Sequence, residues 1–340
     1  MFNIKRGVTK SDPAYIYETE SPLALQLSHV TEIGAIAAAH TAGFGDKEKA
    51  DYETVKAMRD LFNRINFRGR VVIGEGERDE APMLYIGEKL GTGKGPKIDI
   101  AIDPLENTNA AAYFGPRSVS VLAASERGGL FNAPDMYLEK LIVGAHAAGK
   151  VSLDAPVEKN LEAIAESLNR NVSDLVIVVL DRDRNQELIS KIRKAGARVK
   201  LIPDGDLIPG VAVCMGGSGI HAVMGIGAAP EGVISAAGIR CLRGSMQARF
   251  WIRDEAEKNR LIKMGGIPKK IYTQDELASG KTVIFCATAV TDGDLLHGVR
   301  FFGGGARTSS LVMSTQSGKI RFIDTTHIYN RNKLEFRLGN

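Results

Sequence analysis

Asp103, Glu106 and Thr108 close the stretch Ile98-Asp99-Ile100-Ala101-Ile102-Asp103-Pro104-Leu105-Glu106-Asn107-Thr108-Asn109. The apolar run has strand character, and Pro104 fixes φ just past the first carboxylate. The spacing therefore predicts a strand that stops there and turns. Two carboxylates brought together in a tight turn repel unless they share a cation or a proton. Hard oxygen donors with neither His nor Cys beside them suit Mg²⁺ or Mn²⁺ rather than Zn²⁺. The Thr108 hydroxyl, two residues on from Glu106, is placed to hold a water or a phosphate oxygen near such a cation. An acidic surface turn after a strand is the plain alternative for the same residues.

Other acids stand in comparable places. Arg70-Val71-Val72-Ile73 reads as a short strand running into Gly74-Glu75-Gly76-Glu77-Arg78-Asp79-Glu80. Glycines on both sides of Glu75 permit close backbone approach, and Pro82 is expected to restart a helix through Met83, Leu84 and Ile86. Asp181-Arg182-Asp183-Arg184 and Asp204-Gly205-Asp206 each follow a predicted strand. Glu231 lies just past Pro230, where a helix of small residues begins, and Asp51 lies near the start of another helix. Taken locally, Glu75 could sit in a solvated acidic loop, and Asp51 and Glu231 could be ordinary acids favoured by a helix dipole.

The elements that must position these groups follow from periodicity. Val30 to Ala42 is Ala-rich and ends at Gly43 and Gly45. A second helix runs from about Lys47 to Ile65, with Val55, Met58, Phe62 and Ile65 on its apolar face. Strands are expected at Ser118–Ala124 and Met136–Val143. Beyond residue 150 a helix (Val157–Leu168), a buried strand (Leu175–Leu180), an amphipathic helix (Arg184–Ala195) closed by Gly196, and a strand (Ala197–Ile202) form a strand–helix–strand unit that predicts parallel pairing. Later segments are a strand at His221–Ile226, a charged helix at Asp254–Met264, and strands at Thr282–Ala287, Thr308–Ser314 and Lys319–Asp324. Open α/β sheets hold ligands outside strand ends, which is where the acidic loops fall.

The bulk numbers narrow the function classes. The chain has 340 residues, 44% apolar and 25% charged, enough for one large or two modest domains. Its 44 basic and 40 acidic side chains nearly cancel and neither sign forms a long block, which argues against a nucleic-acid or membrane surface. No apolar run is long enough for a membrane span, and residues 1 to 21 lack a secretory pattern, so the cytoplasm is expected. Cys214, Cys241 and Cys286 are far apart and in no metal spacing. The six His are scattered, and His40 and His221 read as core or surface residues. Neither a P-loop nor a Gly-x-Gly-x-x-Gly after a strand is present, and Gly216-Gly217-Ser218-Gly219-Ile220 lacks the final Gly of a nucleophile elbow.

Three stretches taken together resemble one family. The run from Val71 to Glu88 resembles the signature of class II fructose-1,6-bisphosphatases. Asp99 to Glu106 with Thr108 resembles the Asp-Pro-Ile/Leu-Asp/Glu-Gly-Thr motif of the wider lithium-sensitive phosphatase superfamily, and Met224 to Gly232 matches a third stretch. Asp204-Gly205-Asp206 and Gly304-Gly305-Ala306-Arg307-Thr308 resemble the cyanobacterial branch, which also takes sedoheptulose 1,7-bisphosphate. The similarity spans about residues 23 to 329.

The resemblance implies a layered α/β/α/β/α sugar-phosphatase fold with two mixed sheets. With the change of pattern near residue 150, the chain divides into an N-terminal extension (1–22), a metal-binding half (23–150) and a sugar-phosphate-binding half (151–330) that form one compact catalytic unit, and a tail (331–340). The resemblance implies a homo-oligomer, dimer or tetramer, without nucleic-acid or membrane partners, dependent on Mn²⁺ or Mg²⁺. By motif match, Asp51, Glu75, Asp103, Glu106 and Glu231 correspond to metal ligands, with Glu75 and Thr108 catalytic and Thr108 positioning the attacking water. Glu106, Asn107, Thr108, Tyr137, Arg182, Asp183, Arg184, Asp204, Gly205, Asp206 and Ala228 correspond to sugar-phosphate contacts. The implied reaction removes the 1-phosphate of fructose 1,6-bisphosphate, in gluconeogenesis or the reductive pentose phosphate cycle, with sedoheptulose 1,7-bisphosphate as a second substrate.

One residue departs from the pattern. Asn107 stands where the superfamily motif has Gly; Asn tolerates left-handed geometry, but its side chain adds bulk where a phosphate oxygen would lie. Two other readings follow: a phosphatase for another sugar or polyol phosphate, or a non-catalytic metal and sugar-phosphate binder.

Overall fold

In a computed structural model, which describes residues 21–76 and 83–329, two helices come first, α1 (Pro22–Thr41) and α2 (Lys47–Phe62). Ser21 caps α1 by accepting the Leu23 amide, with Pro22 at the first position, and Asp46 caps α2 by accepting the Lys49 amide. Next come β1 (Arg68–Ile73), β2 (Lys89–Leu90), β3 (Lys97–Glu106), the short helix α3 (Thr108–Ala112) and β4 (Val119–Glu126). The middle of the chain supplies β5 (Tyr137–Val143), α4 (Val157–Ser167), β6 (Val176–Leu180), α5 (Gln186–Lys194), β7 (Arg198–Ile202), α6 (Leu207–Ala212) and β8 (Ala222–Ala228). Then follow α7 (Ala229–Cys241), β9 (Ser245–Trp251), α8 (Glu255–Lys263), β10 (Ile271–Thr273) and α9 (Gln274–Leu277). Four strands finish the described chain: β11 (Val283–Ala289), β12 (Arg300–Phe302), β13 (Gly305–Ser314) and β14 (Ile320–Ile328).

Among the described residues the strands form two mixed sheets. Eight make one, in the order β12-β13-β11-β4-β3-β1-β2 with β14 paired to β13, and six make the other, β10-β9-β5-β8-β6-β7. The chain passes to the second sheet at β5 and returns to the first at β11. The strand–helix–strand unit closes as a parallel β6–β7 pair, as its grammar predicts.

Alternation along the strands sorts side chains into layers. Ile98, Ile100 and Ile102 of β3 pack outward under α1 and α2 with Leu122 and Ala124 of β4, while Ala101, Val121 and Ala123 point inward. The inward core is shared with Leu138 and Ile142 of β5 and Met246, Ala248 and Phe250 of β9, and α7 runs between the two sheets. Apolar or small on nearly every side, α7 is buried as such a helix must be. A Cβ at Gly232 would meet Leu138 Cδ1 at 2.7 Å, so glycine lets the helix lie close on β5. α4 and α5 cover the far face of the second sheet through Leu161, Ile164, Ile189 and Ile192. The order is therefore α/β/α/β/α.

Two expectations are corrected. β3 does not stop at Pro104 but continues to Glu106: Asp103 faces Val121 and Glu106 faces Val119, so one extra residue is taken up as a bulge where Pro104 has no N–H to contribute. The helix expected through Met83, Leu84 and Ile86 does not form. Leu84 is buried with φ +54, its amide donates to the buried Glu88 carboxylate, and its carbonyl accepts the Glu75 amide at 3.1 Å. The segment thus folds back beneath the Glu75 loop. The charged residues 77–80, Ala81 and Pro82, like residues 1–20 and the expected tail, lie outside the described residues.

Candidate active site

The ends of β1, β3, β7 and β8 and the starts of α2 and α7 open onto one cavity of about 610 Å³. The β3 bulge delivers Asp103 and Glu106 to its floor. Asp103 Oδ1 accepts the Leu105 amide at 3.1 Å, and Ser118 Oγ donates to the Glu106 carbonyl at 3.2 Å, which fixes the end of the strand. The first turn of α7 brings in Glu231. Carboxylate oxygens of Asp103, Glu106 and Glu231 lie within 4.8 Å of one another. Asp51 reaches in from α2 and shares a hydrogen bond with Glu75, which follows β1. Gly74 lets the backbone turn there, because a Cβ at that position would fall 1.9 Å from the Leu84 carbonyl oxygen.

The electrostatics of this group are those of acids crowded out of water. Burial pushes Glu75 up to about 9, with repulsion from Asp51 and Asp103 adding to it. Burial likewise takes Glu231 to about 8 and Asp103 to about 6, and holds Glu106 well above the usual carboxylate range, with Asp103 and Glu231 next in effect. Asp51 is raised by burial, partly offset by its hydrogen bond to Glu75. Glu231 Oε2 is buried without a hydrogen-bond partner among the described residues, a costly state for a charged oxygen. The cavity wall carries eight carboxylates against three cations, Lys47, Arg182 and Arg184. An all-oxygen donor set with an orphaned buried oxygen fits a hard divalent cation.

The residues matched to sugar-phosphate contacts line the same cavity, with one exception. Thr108 starts α3 and donates its hydroxyl to the Leu105 carbonyl at 2.9 Å. Asn107 adopts φ 62, ψ 55, left-handed as glycine would, and accepts the Ala110 amide at 3.3 Å to cap α3. Its Cβ faces Gly205, where an added Cβ would sit 3.4 Å away. The Arg184 guanidinium lies 4.3 Å from the Tyr137 ring centroid and its Nε donates to the Ile226 carbonyl at 3.0 Å. Arg182 pairs loosely with Asp204 at 3.7 Å. Ala228 is at the cavity edge where β8 gives way to α7. Asp183 is the exception: the loop alternates its side chains, and Asp183 points to solvent between the half-buried Arg182 and Arg184.

Sequence reasoning passed over Lys47, Asp135 and Lys140. Lys140 Nζ, almost wholly buried, pairs with Asp206 at 2.6 Å behind the cavity and lowers the pKa of Glu231. A signal existed: strict alternation in Tyr137-Leu138-Glu139-Lys140-Leu141-Ile142 sets Lys140 on the same inward face as Leu138 and Ile142. Gly227 of β8 leaves room for the pair, since a Cβ there would meet Asp206 Oδ2 at 2.4 Å and Lys140 Nζ at 2.7 Å.

Residues 21–327 match the family described as bacterial fructose-1,6-bisphosphatase, glpX-encoded. A D-fructose 1,6-bisphosphatase class 2/sedoheptulose 1,7-bisphosphatase from Synechococcus sp. (strain JA-3-3Ab) is 52% identical over 334 residues, covering 91% of this chain and 96% of that one. The protein of the same name from Microcystis aeruginosa (strain NIES-843 / IAM M-2473) is 48% identical over 339 residues, 92% of this chain and 98% of that one. A third, from Crocosphaera subtropica (strain ATCC 51142 / BH68), is 50% identical with the same coverage, 92% and 98%.

Proposed function

The chain belongs to the family of bacterial, glpX-encoded fructose-1,6-bisphosphatases, and from that premise we propose how its residues divide the work of hydrolysis. The reaction is removal of phosphate from fructose 1,6-bisphosphate, taken here at the 1-position to leave fructose 6-phosphate, with sedoheptulose 1,7-bisphosphate as a second substrate. The observation that carries the reading is the charge of the cavity: with eight carboxylates facing three cations, a sugar bisphosphate is repelled unless divalent cations enter with it.

Asp51, Glu75, Asp103, Glu106 and Glu231 would hold the cation, Mg²⁺ or Mn²⁺. When bound, it neutralises the phosphoryl oxygens and makes a nearby water more acidic. Thr108, its hydroxyl hydrogen committed to the Leu105 carbonyl, presents lone pairs that accept from and orient the water. Glu75, raised by burial and by Asp51 and Asp103, holds a proton in the metal-free cavity and would release it as the cation is taken up, which leaves a carboxylate beside the attacking water. Arg182 and Arg184 meet the remote phosphate, and that binding energy positions the reacting one. Tyr137 and the Asp204-Gly205-Asp206 turn flank the sugar. The same reading takes the protein as a cytoplasmic homo-oligomer, a dimer or tetramer, working in gluconeogenesis or the reductive pentose phosphate cycle.

The test is inorganic phosphate release from fructose 1,6-bisphosphate, with sedoheptulose 1,7-bisphosphate and an inositol monophosphate in parallel. Turnover of order 1–10³ per second with Mn²⁺ or Mg²⁺ is expected, abolished by chelation and lost in Glu106→Gln. Full activity after chelation, or strong preference for the inositol monophosphate, would sink the assignment.

A further inference from the structure

On the outer face of the first sheet, away from the residues that line the cavity, α1 sets His29 and Glu32, three residues apart, against His327 of β14 from the far end of the chain. Glu32 is buried, and His29 Nδ1 lies 3.2 Å from its Oε2. From β14, His327 Nε2 lies 3.9 Å from the same Oε2. Ligand atoms of all three residues fall within 4.8 Å of one another. The rings of His29 and His327 are nearly parallel, with 13° between their planes. Scattered in the sequence, these two His are brought side by side by the fold.

We propose that His29, Glu32 and His327 form a transition-metal site of the zinc class, separate from the catalytic cavity, that ties the edge strand β14 to α1. Two imidazoles and a carboxylate are a donor set zinc uses, with a solvent molecule in the fourth position. Tetrahedral bonds of the usual 2.0–2.1 Å hold ligand atoms roughly 3.3 Å apart, so the His29–Glu32 edge already has the required length. His327 closes the site by moving about half an ångström toward Oε2 and by up to about 1.5 Å toward the His29 ring, shifts within reach of side-chain torsions at an exposed His29. The outer partners are in place. Thr325 donates its hydroxyl to Glu32 Oε1 at 2.8 Å, which leaves Oε2 turned toward both imidazoles. The Thr308 hydroxyl lies 2.9 Å from His327 Nε2, and on metal uptake it is freed to hold the coordinated water. His29, with half its side chain exposed, provides the entry path.

The donor chemistry also supplies a clean test, because no His lines the catalytic cavity among the described residues. Full-length protein with Mg²⁺ in excess is titrated with Zn²⁺ and examined by X-ray absorption, and in parallel with Co²⁺ by visible spectroscopy. One zinc per chain showing scattering from two imidazoles, and one cobalt with intense tetrahedral bands, are expected. His29→Gln and His327→Gln should each lose both signatures and the zinc-dependent rise in Tm, while keeping magnesium-dependent phosphate release. His29 is exposed enough that its substitution leaves the fold intact. Zinc with only oxygen neighbours, or the same imidazole signature and Tm shift in the His29→Gln protein, overturns the proposal.

Discussion

Lys140 Nζ meets Asp206 at 2.6 and 2.8 Å from its two carboxylate oxygens, and also reaches the Ala228 carbonyl at 3.4 Å, so one buried ammonium links β5, the 204–206 turn and the end of β8. These are the elements that bring Tyr137, the 204–206 turn and Ala228 to the cavity and lead into Glu231. The lysine is thus a fixed positive charge behind an acidic site, and it acts through Asp206 and Glu231 without touching the cavity itself.

Replacing it by Met keeps the volume and removes the charge. Breaking a buried pair on one side costs about 3–5 kcal/mol, because Asp206 is left charged and unmatched. Lys140→Met should show that loss in urea unfolding, and Asp206→Asn added to it should recover part. Lys140 lowers the Glu231 pKa, so the variant should also bind Mn²⁺ more weakly at pH 7 and regain affinity as pH rises. Unchanged stability and metal affinity would show the pair to be inert.

The acids of the cavity set a pH dependence for the metal-free protein. In the unfolded chain their pKa values are near 4; in the folded state Asp103 stands at about 6, Glu231 at about 8 and Glu75 at about 9. Between these limits the folded state binds more protons than the unfolded one, so the contribution of these groups to stability is full below about pH 4 and is lost as pH climbs toward 9. Chelated protein should therefore melt at a lower temperature at pH 9 than at pH 6, and saturating Mn²⁺ should remove most of that difference. Metal uptake at pH 7 should release protons, measurable by calorimetry in buffers of different ionisation enthalpy. A chelated protein whose Tm rises from pH 6 to pH 9 would contradict this account.

Asn107 gives a prediction about the turn that distinguishes it from the superfamily motif. With φ 62 and its Oδ1 capping Ala110, the side chain stabilises α3 in a backbone state that glycine also reaches freely. Capping Asn replaced by Gly typically costs only a few tenths of a kcal/mol. Asn107→Gly should therefore leave phosphate release within about threefold of wild type and lower Tm slightly, whereas Asn107→Val, β-branched and forced to positive φ, should lose both stability and turnover. If only the Gly protein turns over, the natural chain is a binder of metal and sugar phosphate.

What could be read from the sequence depended on whether the deciding interactions were local. Asp103 and Glu106 declared themselves because an apolar run ends in acids, and β6, α5 and β7 because period and turn residues agree over short spans. Asp51 and Glu231 look like helix-start acids until the fold sets them opposite Glu75 and Asp103, and only the family motifs had connected them. Pro104 misled because a bulge lets β3 pass through it, a matter settled by its pairing with β4. Leu84 misled because its left-handed backbone answers to Gly74 and Glu88, not to helical periodicity. α6 went unread since Leu207-Ile208-Pro209-Gly210-Val211-Ala212 carries both a proline and a glycine, yet all six residues are buried between the sheets. β9 was legible in hindsight, as Met246, Ala248 and Phe250 alternate inward.

The division between reacting and remote phosphate rests on Arg184, whose geometry makes a sharp kinetic prediction. Its Nε is committed to the Ile226 carbonyl and its plane lies over Tyr137, so the guanidinium is held with its terminal nitrogens available to an anion in the cavity. Lysine supplies the charge but neither the Nε–H donor nor the flat face that stacks on the ring. Loss of a cation–π contact of about 0.5–2 kcal/mol and of one oriented donor should lower kcat/KM for fructose 1,6-bisphosphate about tenfold or more in Arg184→Lys. Turnover of fructose 1-phosphate, which lacks the remote phosphate, should be nearly unchanged, because the wild-type enzyme draws no binding energy from Arg184 with that substrate. An equal fall for both substrates would place Arg184 at the reacting phosphate instead, and the roles of the two ends of the cavity would be exchanged.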